Sequence, residues 1–162
     1  MNNLKNLLTK PLQLQQIPKV IPIVILALAL IGFGIATYLT VKHYQGVIPP
    51  CSIAGCDTVL TSSYAEVYGV PVSLLGSLYY FIVALLLFVY FDVTNPKIKD
   101  FCLKATCAFS AVGFVVSLAF ISLMLFVLNA ICIYCMFSDI ITIIIFIMSA
   151  HVIYLGLIKN NN

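Results

Sequence analysis

Four long apolar segments alternate with shorter polar segments along the chain. The apolar segments run from Val20 to Val41, from Val72 to Phe91, from about Ala105 to Leu128 and from Cys132 to about Ile158. About 20 consecutive apolar residues in a helix cross a bilayer, so each segment is long enough to span a membrane once. The pattern therefore predicts an all-α integral membrane protein with a four-transmembrane-helix bundle.

The polar segments predict how the chain is organised. The longest, from Lys42 to Pro71, contains a stretch from Asp57 to Tyr68 that lacks turn residues such as glycine and proline. A short helix is predicted there, with Asp57 as its N-cap. The first apolar segment exceeds the roughly 7–15 apolar residues of a cleaved signal peptide, so we expect it to be retained. We predict an N-terminal segment at 1–19, a four-helix membrane domain at 20–158 and a C-terminal tail at 159–162.

Composition supports a membrane environment and excludes a soluble fold. The 162-residue chain is 63% hydrophobic and 8% charged, and its mean hydropathy is +1.16. Soluble domains are about half apolar and about a quarter charged. This chain could not cover a water-facing surface with so few charges, so membrane lipid is its expected surrounding. The net charge of +3 is too small and too scattered for a nucleic-acid-binding surface, and no nucleic-acid partner is expected.

The lysines predict how the chain is oriented in the membrane. Four spans place both termini and the 92–100 loop on one side, and the 42–71 loop and residues 129–131 on the other. The first side carries seven of the eight lysines, namely Lys5, Lys10, Lys19, Lys97, Lys99, Lys104 and Lys159, and the second side carries only Lys42. By the positive-inside rule both termini are cytoplasmic. We expect a multi-pass protein of a prokaryotic plasma membrane.

The six cysteines form three pairs along the chain. Cys51 and Cys56 lie in the outer loop, Cys132 and Cys135 lie at the outer end of the fourth span, and Cys102 and Cys107 lie near the inner end of the third. The outer compartment permits disulfides and the cytoplasm does not. The inner pair is therefore predicted to consist of small apolar residues in a helix, whereas both outer pairs are candidates for disulfide chemistry.

Cys132 and Cys135 form a C-x-x-C motif at the start of a helix. This spacing brings the two sulfurs close enough for a disulfide, and the partial positive charge of a helix N-terminus favours the thiolate. Met136 stands where a c-type haem site would need a histidine. Taken alone, the motif is a moderate indication of a redox centre.

Cys51 and Cys56, taken alone, predict a structural staple of the loop. Together with the C-x-x-C motif they predict a two-stage relay, because thiol–disulfide exchange passes through a mixed disulfide and loop cysteines can visit both a soluble partner and the embedded pair. Such a relay needs a final electron acceptor, and a lipid-soluble quinone is the acceptor expected at that depth. A zinc ion held by four thiolates is the chemical alternative. An oxidising compartment disfavours it, and no metal is expected.

Several polar residues are candidates for binding a quinone oxygen or a thiolate, namely Ser62, Ser63, Asn129 and Asp139. Asp139 lies four residues after Cys135 and so on the same helix face. A carboxylate inside a membrane is costly and indicates function. A position near the interface, where Asp139 finds water or a hydroxyl, is the alternative.

His43 is expected to be an interfacial anchor. Tyr79 and Tyr80 are expected to face lipid or the interface, with pocket lining as the alternative.

The order of these features resembles the vitamin K epoxide reductase family in its compact prokaryotic, single-domain form. The residues that carry the resemblance are Cys51 and Cys56 with the following 57–64 segment, the Gly69–Gly76 segment that opens the second span, and Cys132-Ile133-Tyr134-Cys135. The resemblance covers roughly residues 20–158. DsbB-type quinone reductases are less similar, because their C-x-x-C lies in the first outer loop and they place an arginine beside the quinone, whereas this chain has no arginine.

The resemblance implies an enzyme, a quinone-dependent protein-thiol oxidoreductase. Cys51 and Cys56 would form the shuttle pair, Cys56 would exchange with Cys132, and Cys135 would meet the quinone. Ser62 matches the family's loop-helix serine near the redox centre.

The resemblance also implies the quinone and the partner. Val72 and Asp139 occupy the places of an asparagine and a tyrosine that hold the quinone ring in vertebrate relatives. Together with Ser62 they are the expected binding residues for a quinone of the ubiquinone, menaquinone or vitamin K type. Some family members carry a fused thioredoxin-like domain, and this chain stops at Asn162. We therefore expect a separate thioredoxin-like (DsbA-like) partner.

Two other functions remain open at this point. A quinone or vitamin K epoxide reductase that acts mainly to make hydroquinone would use the same residues, since the direction of electron flow depends on relative potentials. A non-enzymatic membrane scaffold stapled by disulfides is the second alternative. It predicts cysteine pairs that stay oxidised when a thioredoxin-like dithiol and a quinone are supplied.

Overall fold

A computed structural model describes residues 18–51 and 55–158, with the backbone alone for residues 157 and 158. Its helices and strands are α1 (Val20–Tyr44), α2 (Cys56–Leu60), β1 (Glu66–Val67), β2 (Val70–Pro71), α3 (Val72–Asp92), α4 (Pro96–Ser122), a π-helical turn (Leu123–Val127) and α5 (Ile133–Ile158). Among these residues, four helices are long and apolar enough to cross a membrane. The predicted four-helix membrane bundle, with a short helix in its cysteine-bearing loop, is confirmed. The predicted tail at 159–162, and the N-terminal segment up to residue 17, lie outside the described residues.

The four long helices pack around a shared apolar core. α1 packs against α3 and α5, and α4 packs against the same two helices. The buried side chains at the centre are Ile25, Ala29, Ala36, Tyr80, Val83, Leu87, Ile141 and Ile145. Large apolar side chains such as Phe88 and Phe126 point away from the bundle and are exposed. Helices satisfy their own backbone hydrogen bonds, which allows these outer faces to lie in lipid.

Tyr80 joins three of the helices. From α3, its hydroxyl donates to the Ser138 backbone oxygen at 2.6 Å and lies 2.9 Å from the Thr142 hydroxyl oxygen, both on α5. Its ring packs directly on Gly32 of α1, where an added Cβ would overlap the ring. Small residues let membrane helices approach closely, so Gly32 permits the contact between α1 and the Tyr80 ring.

Replacing Gly32 with alanine should destabilise the bundle. The new methyl group would overlap the Tyr80 ring, which is 1% exposed and has little room to move. Overpacking of this kind costs about 1–3 kcal/mol of unfolding free energy. Thermal unfolding of the detergent-solubilised protein measures the loss. Gly34→Ala is the control, because the same helix has open space there. Equal midpoints for the two variants would contradict the close packing of α1 on Tyr80.

The boundaries of the third span differ from the prediction. α4 begins at Pro96, not near Ala105, so Lys97 and Lys99 lie in its first turns and the connection from α3 is only residues 93–95. The Asn95 side chain caps the helix by accepting from the Lys97 amide at 3.0 Å, and proline follows at the first helical position. Hydropathy locates the apolar part of a span, whereas the cap locates the helix start.

The loop helix is also shorter than predicted. α2 ends at Leu60, and its N-cap is Gly55, so the prediction that Asp57 caps a helix reaching Tyr68 is wrong. Residues 66–71 instead form a two-stranded antiparallel hairpin of β1 and β2. Tyr68 and Gly69 make its turn with φ of 53° and 76°. Positive φ at both central residues is the requirement of a type I′ hairpin turn, and an α-helix cannot continue through such residues.

Candidate active site

The loop cysteines form a disulfide. The Cys51 and Cys56 sulfurs are 2.11 Å apart and their Cα atoms 6.3 Å apart. Cys56 is the first residue of α2 and is 1% exposed, whereas Cys51 precedes the helix and is half-buried. The Cys51 end of the bridge is therefore the more accessible end.

The C-x-x-C motif straddles the start of α5. Cys132 immediately precedes the helix, and Cys135 lies in its first turn. The two Sγ atoms are 2.7 Å apart, and the Cys135 amide donates to Cys132 Sγ at 3.4 Å. The hydrogen bond from the Cys135 thiol lowers the pKa of Cys132, which lies outside the spanning helix. Cys132 is thus the thiol of the pair that more readily forms a thiolate, which is the nucleophile of disulfide exchange.

Both cysteine pairs meet in one buried group, named here the cysteine cluster. Its buried members are Cys56, Val59, Met124 and Cys132, and Cys51 and Cys135 pack against them. Gly55 lies against the backbone of Ile131, where an added Cβ would be 3.0 Å from the amide nitrogen. The Tyr134 hydroxyl donates to the Pro50 carbonyl oxygen at 3.0 Å. These contacts dock the loop onto the start of α5, so the two pairs lie at the same end of the bundle.

A cavity of about 510 Å³ adjoins the cysteine cluster and lies among the four long helices. Most of its walls are apolar, with Leu39, Leu75, Val112 and Phe120 among them. Cys135 is the only cysteine among the described residues that line it. Small-molecule sites typically enclose about 300–1,000 Å³. The cavity is therefore large enough for a small organic molecule in reach of the Cys135 thiol.

Two polar side chains of the cavity wall have an unpaired atom. Asp139, one helical turn after Cys135, is 9% exposed, and its Oδ2 has no hydrogen-bond partner in the described part of the chain. The Ser117 hydroxyl is a hydrogen-bond partner of the same carboxyl group. The Tyr79 hydroxyl is also buried and unpaired among these residues. Buried polar atoms are nearly always bonded, so these two atoms mark places where a ligand could bond.

The predicted binding residues fall in two places. Val72 and Asp139 line the main cavity. Ser62 lies instead in a neighbouring cavity of about 310 Å³, and its hydroxyl donates to the Val59 carbonyl oxygen at 2.8 Å. The structure thus does not bring Ser62 to the wall that holds Cys135, and its role stays a prediction. His43 lines both cavities, and its Nε2 lies 3.0 Å from Glu66 Oε1.

The tyrosines of α3 were not predicted as the main cavity-lining residues. Tyr79 and Tyr80 line the cavity, whereas the favoured prediction placed them toward lipid or the interface. Phe81, the next residue, does face outward and is 51% exposed. The adjacent hydroxyls in an apolar span were the available signal, because a buried hydroxyl in lipid needs a partner. Nothing in the sequence pointed to Met124, which lies in both the cysteine cluster and the cavity wall.

A comparison with known families agrees with this geometry. Residues 23–150, which contain the four cysteines of the cluster and every residue that lines the cavity, match the vitamin K epoxide reductase family. The chain belongs to the vitamin K epoxide reductase family. No curated protein matches it at a significant level.

Membership in the vitamin K epoxide reductase family makes the chain a membrane oxidoreductase linked to a quinone-type substrate or cofactor. The cavity fits such a group, because it offers apolar walls for a ring, unpaired polar atoms for ring oxygens and the Cys135 thiol at the same wall. The zinc alternative fits less well. The Cys51–Cys56 disulfide occupies two of the four sulfurs that a zinc site would need.

Proposed function

We propose that this family member forms disulfides in a separate thioredoxin-like (DsbA-like) protein and passes the electrons to a quinone. One observation carries the proposal. Within the C-x-x-C motif, Cys132 lies in the cysteine cluster with Cys56, and Cys135 lines the cavity. The motif therefore contacts the loop pair on one side and the cavity on the other. A relay from a soluble dithiol to a membrane-bound acceptor needs both contacts, since each transfer requires sulfur to reach its target directly.

The partner enters at the loop pair. Its thiolate attacks one sulfur of the Cys51–Cys56 disulfide, and its second thiol then resolves the mixed disulfide and leaves the loop pair as two thiols. Cys51 is half-buried and Cys56 is 1% exposed. This difference supports Cys51 as the sulfur that bonds to the partner, and it leaves Cys56 buried beside Cys132.

The electrons then move to the C-x-x-C motif. The Cys56 thiolate attacks Cys132 of the oxidised motif, and Cys51 displaces Cys132 by closing the loop disulfide again. The product has a loop disulfide and two motif thiols. A bound quinone accepts two electrons and two protons and leaves as hydroquinone. Cys135, at the cavity wall, gives up its electrons as it bonds again to Cys132.

The proposal includes the orientation of the protein in its membrane and the class of its quinone ligand. The loop pair and the cavity face the outside of a prokaryotic plasma membrane and both termini are cytoplasmic, an orientation that the lysine distribution supports. The ligand is a quinone of the ubiquinone, menaquinone or vitamin K type. Val72 and Asp139 line the cavity, which supports their place in the quinone site.

A trapped intermediate tests the order of transfer. In a Cys51→Ala, Cys135→Ala double variant, the thiols that would resolve the mixed disulfide are gone, so mild oxidation should accumulate a Cys56–Cys132 bond. Mass spectrometry of peptides from the unreduced protein identifies the bond. The matched control is Cys56→Ala, Cys135→Ala, in which Cys51 alone faces Cys132. More Cys51–Cys132 bond in the control than Cys56–Cys132 bond in the test variant would reverse the proposed order.

A further inference from the structure

Two of the four unpaired buried side-chain atoms in the described part of the chain belong to residues that line the cavity. In the described residues, the buried side-chain atoms without a hydrogen-bond partner belong to Tyr79, Thr106, Asp139 and Ser149. Tyr79 and Asp139 line the cavity together with Cys135, whereas Thr106 and Ser149 do not line it. The main cavity therefore has two open hydrogen-bonding positions, and the one at Asp139 lies one helical turn from the reactive thiol.

Packing fixes the position of the Tyr79 hydroxyl. The ring of Tyr79 lies on Gly113 of α4, where an added Cβ would be 2.8 Å from both Cε2 and Cζ. The Tyr80 ring meets the Tyr79 ring edge-on, with ring centroids 5.0 Å apart. The Tyr80 hydroxyl is already bonded to Ser138 and Thr142. Tyr79 is thus the tyrosine of the pair whose hydroxyl stays available to a ligand.

The position of Asp139 and the side chains around it suit this carboxyl group to carry a proton. Asp139 follows Cys135 by one helical turn, on the same face of α5. Among the described residues that line the cavity there is no lysine, and the chain has no arginine, so His43 is the only basic side chain in the wall. A buried carboxyl group without an adjacent cation is more stable with its proton than as an anion. The neutral form has a proton to give.

We propose that Tyr79 and Asp139 hold the quinone by its oxygens and that Asp139 protonates the oxygen next to Cys135. Tyr79 donates a fixed hydrogen bond to a quinone oxygen. Asp139 gives a proton to the oxygen next to Cys135 and recovers one from the Cys135 thiol. This inference rests on the proposed function, and it assigns to Tyr79 a role that neither the cysteine motifs nor the predicted binding residues include.

The reaction balances with these groups. Two S–H bonds break and one S–S bond forms between Cys132 and Cys135, which releases two electrons and two protons. The quinone gains both electrons and forms two O–H bonds. Asp139 transfers one of the protons from Cys135 to the nearer oxygen. Cys132 releases the other proton to water at the cysteine end of the bundle, and water supplies the proton that the second quinone oxygen takes up.

Equilibrium binding tests the role of Tyr79. The Cys135→Ala protein cannot turn over, so its affinity for a short-chain ubiquinone, and for menadione, can be measured by the shift in thermal unfolding. Adding Tyr79→Phe should weaken the affinity about three- to tenfold, the usual loss for one hydrogen bond. Tyr90→Phe is the matched control, since Tyr90 is a buried tyrosine of the same helix outside the cavity. Equal affinities for the two tyrosine variants would overturn the assignment of Tyr79.

Infrared spectroscopy and kinetics test Asp139. The full-length protein should show a protonated carboxyl band at neutral pH that disappears in Asp139→Asn. The same variant should lose about a hundredfold in kcat, as expected when a proton donor is removed, with KM changed little, and Asp139→Glu should regain part of the rate. Thr106→Val removes an unpaired buried hydroxyl away from the cavity and should leave band and rate unchanged. A carboxyl band that persists in Asp139→Asn, or a kcat equal to that of Thr106→Val, would overturn the assignment of Asp139.

If the wild type binds no quinone, the proposed function fails, and this inference fails with it.

Discussion

Cys135→Ala should reduce quinone consumption to the rate measured without protein. Cys135 is the only cysteine among the described residues that line the cavity, and without it no disulfide can form in the C-x-x-C motif. The loop disulfide should still react, because Cys51 and Cys56 are intact. We therefore expect each molecule of the variant to oxidise about one molecule of reduced thioredoxin-like partner and then to stop. Quinone absorbance and partner thiol content, followed in the same sample, measure both effects.

The control for this result is another cysteine in the membrane. Cys107 is a free, half-buried cysteine of α4 that lies outside both the cysteine cluster and the cavity wall. Cys107→Ala should keep the wild-type rate. Continued turnover by Cys135→Ala would refute the proposed path through the motif. A wild type that consumes no quinone and whose pairs stay oxidised would favour the disulfide-stapled scaffold.

The direction of electron flow separates the thiol oxidase from the hydroquinone-making alternative. Both use the same sulfurs, so no contact in the structure distinguishes them, and only the relative potentials of partner, cysteine pairs and quinone decide. Titrating the protein against redox buffers of known potential, once for each pair, gives those potentials. A loop pair that is more reducing than the motif, which in turn is more reducing than the quinone, supports oxidation of the partner.

The fold was predictable where lipid imposes a simple rule. A bilayer requires about 20 apolar residues per helix, and the four spans follow from that requirement alone. The details outside the apolar segments depend on local backbone geometry. α4 starts early because Asn95 caps it and Pro96 suits its first turn, and residues 66–71 form a hairpin in place of helix because Tyr68 and Gly69 adopt positive φ. Hydropathy is insensitive to both effects, although the Asn-Pro and Tyr-Gly pairs were visible in the sequence.

The site was predictable in its sulfur chemistry and less so in its cavity. Cysteine spacing and topology were enough to bring the two outer pairs to the same end of the bundle, and the family resemblance implied that Cys56 meets Cys132. The walls of the cavity depend on which face of each helix turns inward, and in a span that is apolar on all sides no periodic pattern reveals that face. For this reason Tyr79 was expected to lie toward lipid, whereas it lines the cavity. The role of Ser62 was implied by the family resemblance and stays a prediction; its hydroxyl donates to the Val59 carbonyl oxygen.

Gly55→Ala should slow electron transfer between the two cysteine pairs about tenfold. Gly55 has a φ of 127°, which strains any L side chain. An added Cβ would also lie 3.0 Å from the Ile131 amide nitrogen and 3.3 Å from Ala130 Cβ. The start of α2 must then move away from the segment that leads into Cys132. Because Cys56 is the next residue after Gly55, this movement separates the two sulfurs, and displacements well under 1 Å are enough to slow a reaction about tenfold.

The backbone cost of an alanine must be separated from the lost contact with Ile131. Gly69 also has a positive φ, of 76°, but an added Cβ there meets nothing within 4 Å. Gly69→Ala therefore also places an L side chain at positive φ, without pushing the loop off α5, and it should transfer electrons at close to the wild-type rate. The rate of Cys56–Cys132 bond formation in the Cys51→Ala, Cys135→Ala background measures the step directly, and quinone affinity should be the same in both glycine variants because neither residue lines the cavity. If Gly69→Ala slows bond formation as much as Gly55→Ala, loop strain governs the exchange, and the docking of Gly55 on Ile131 does not position Cys56.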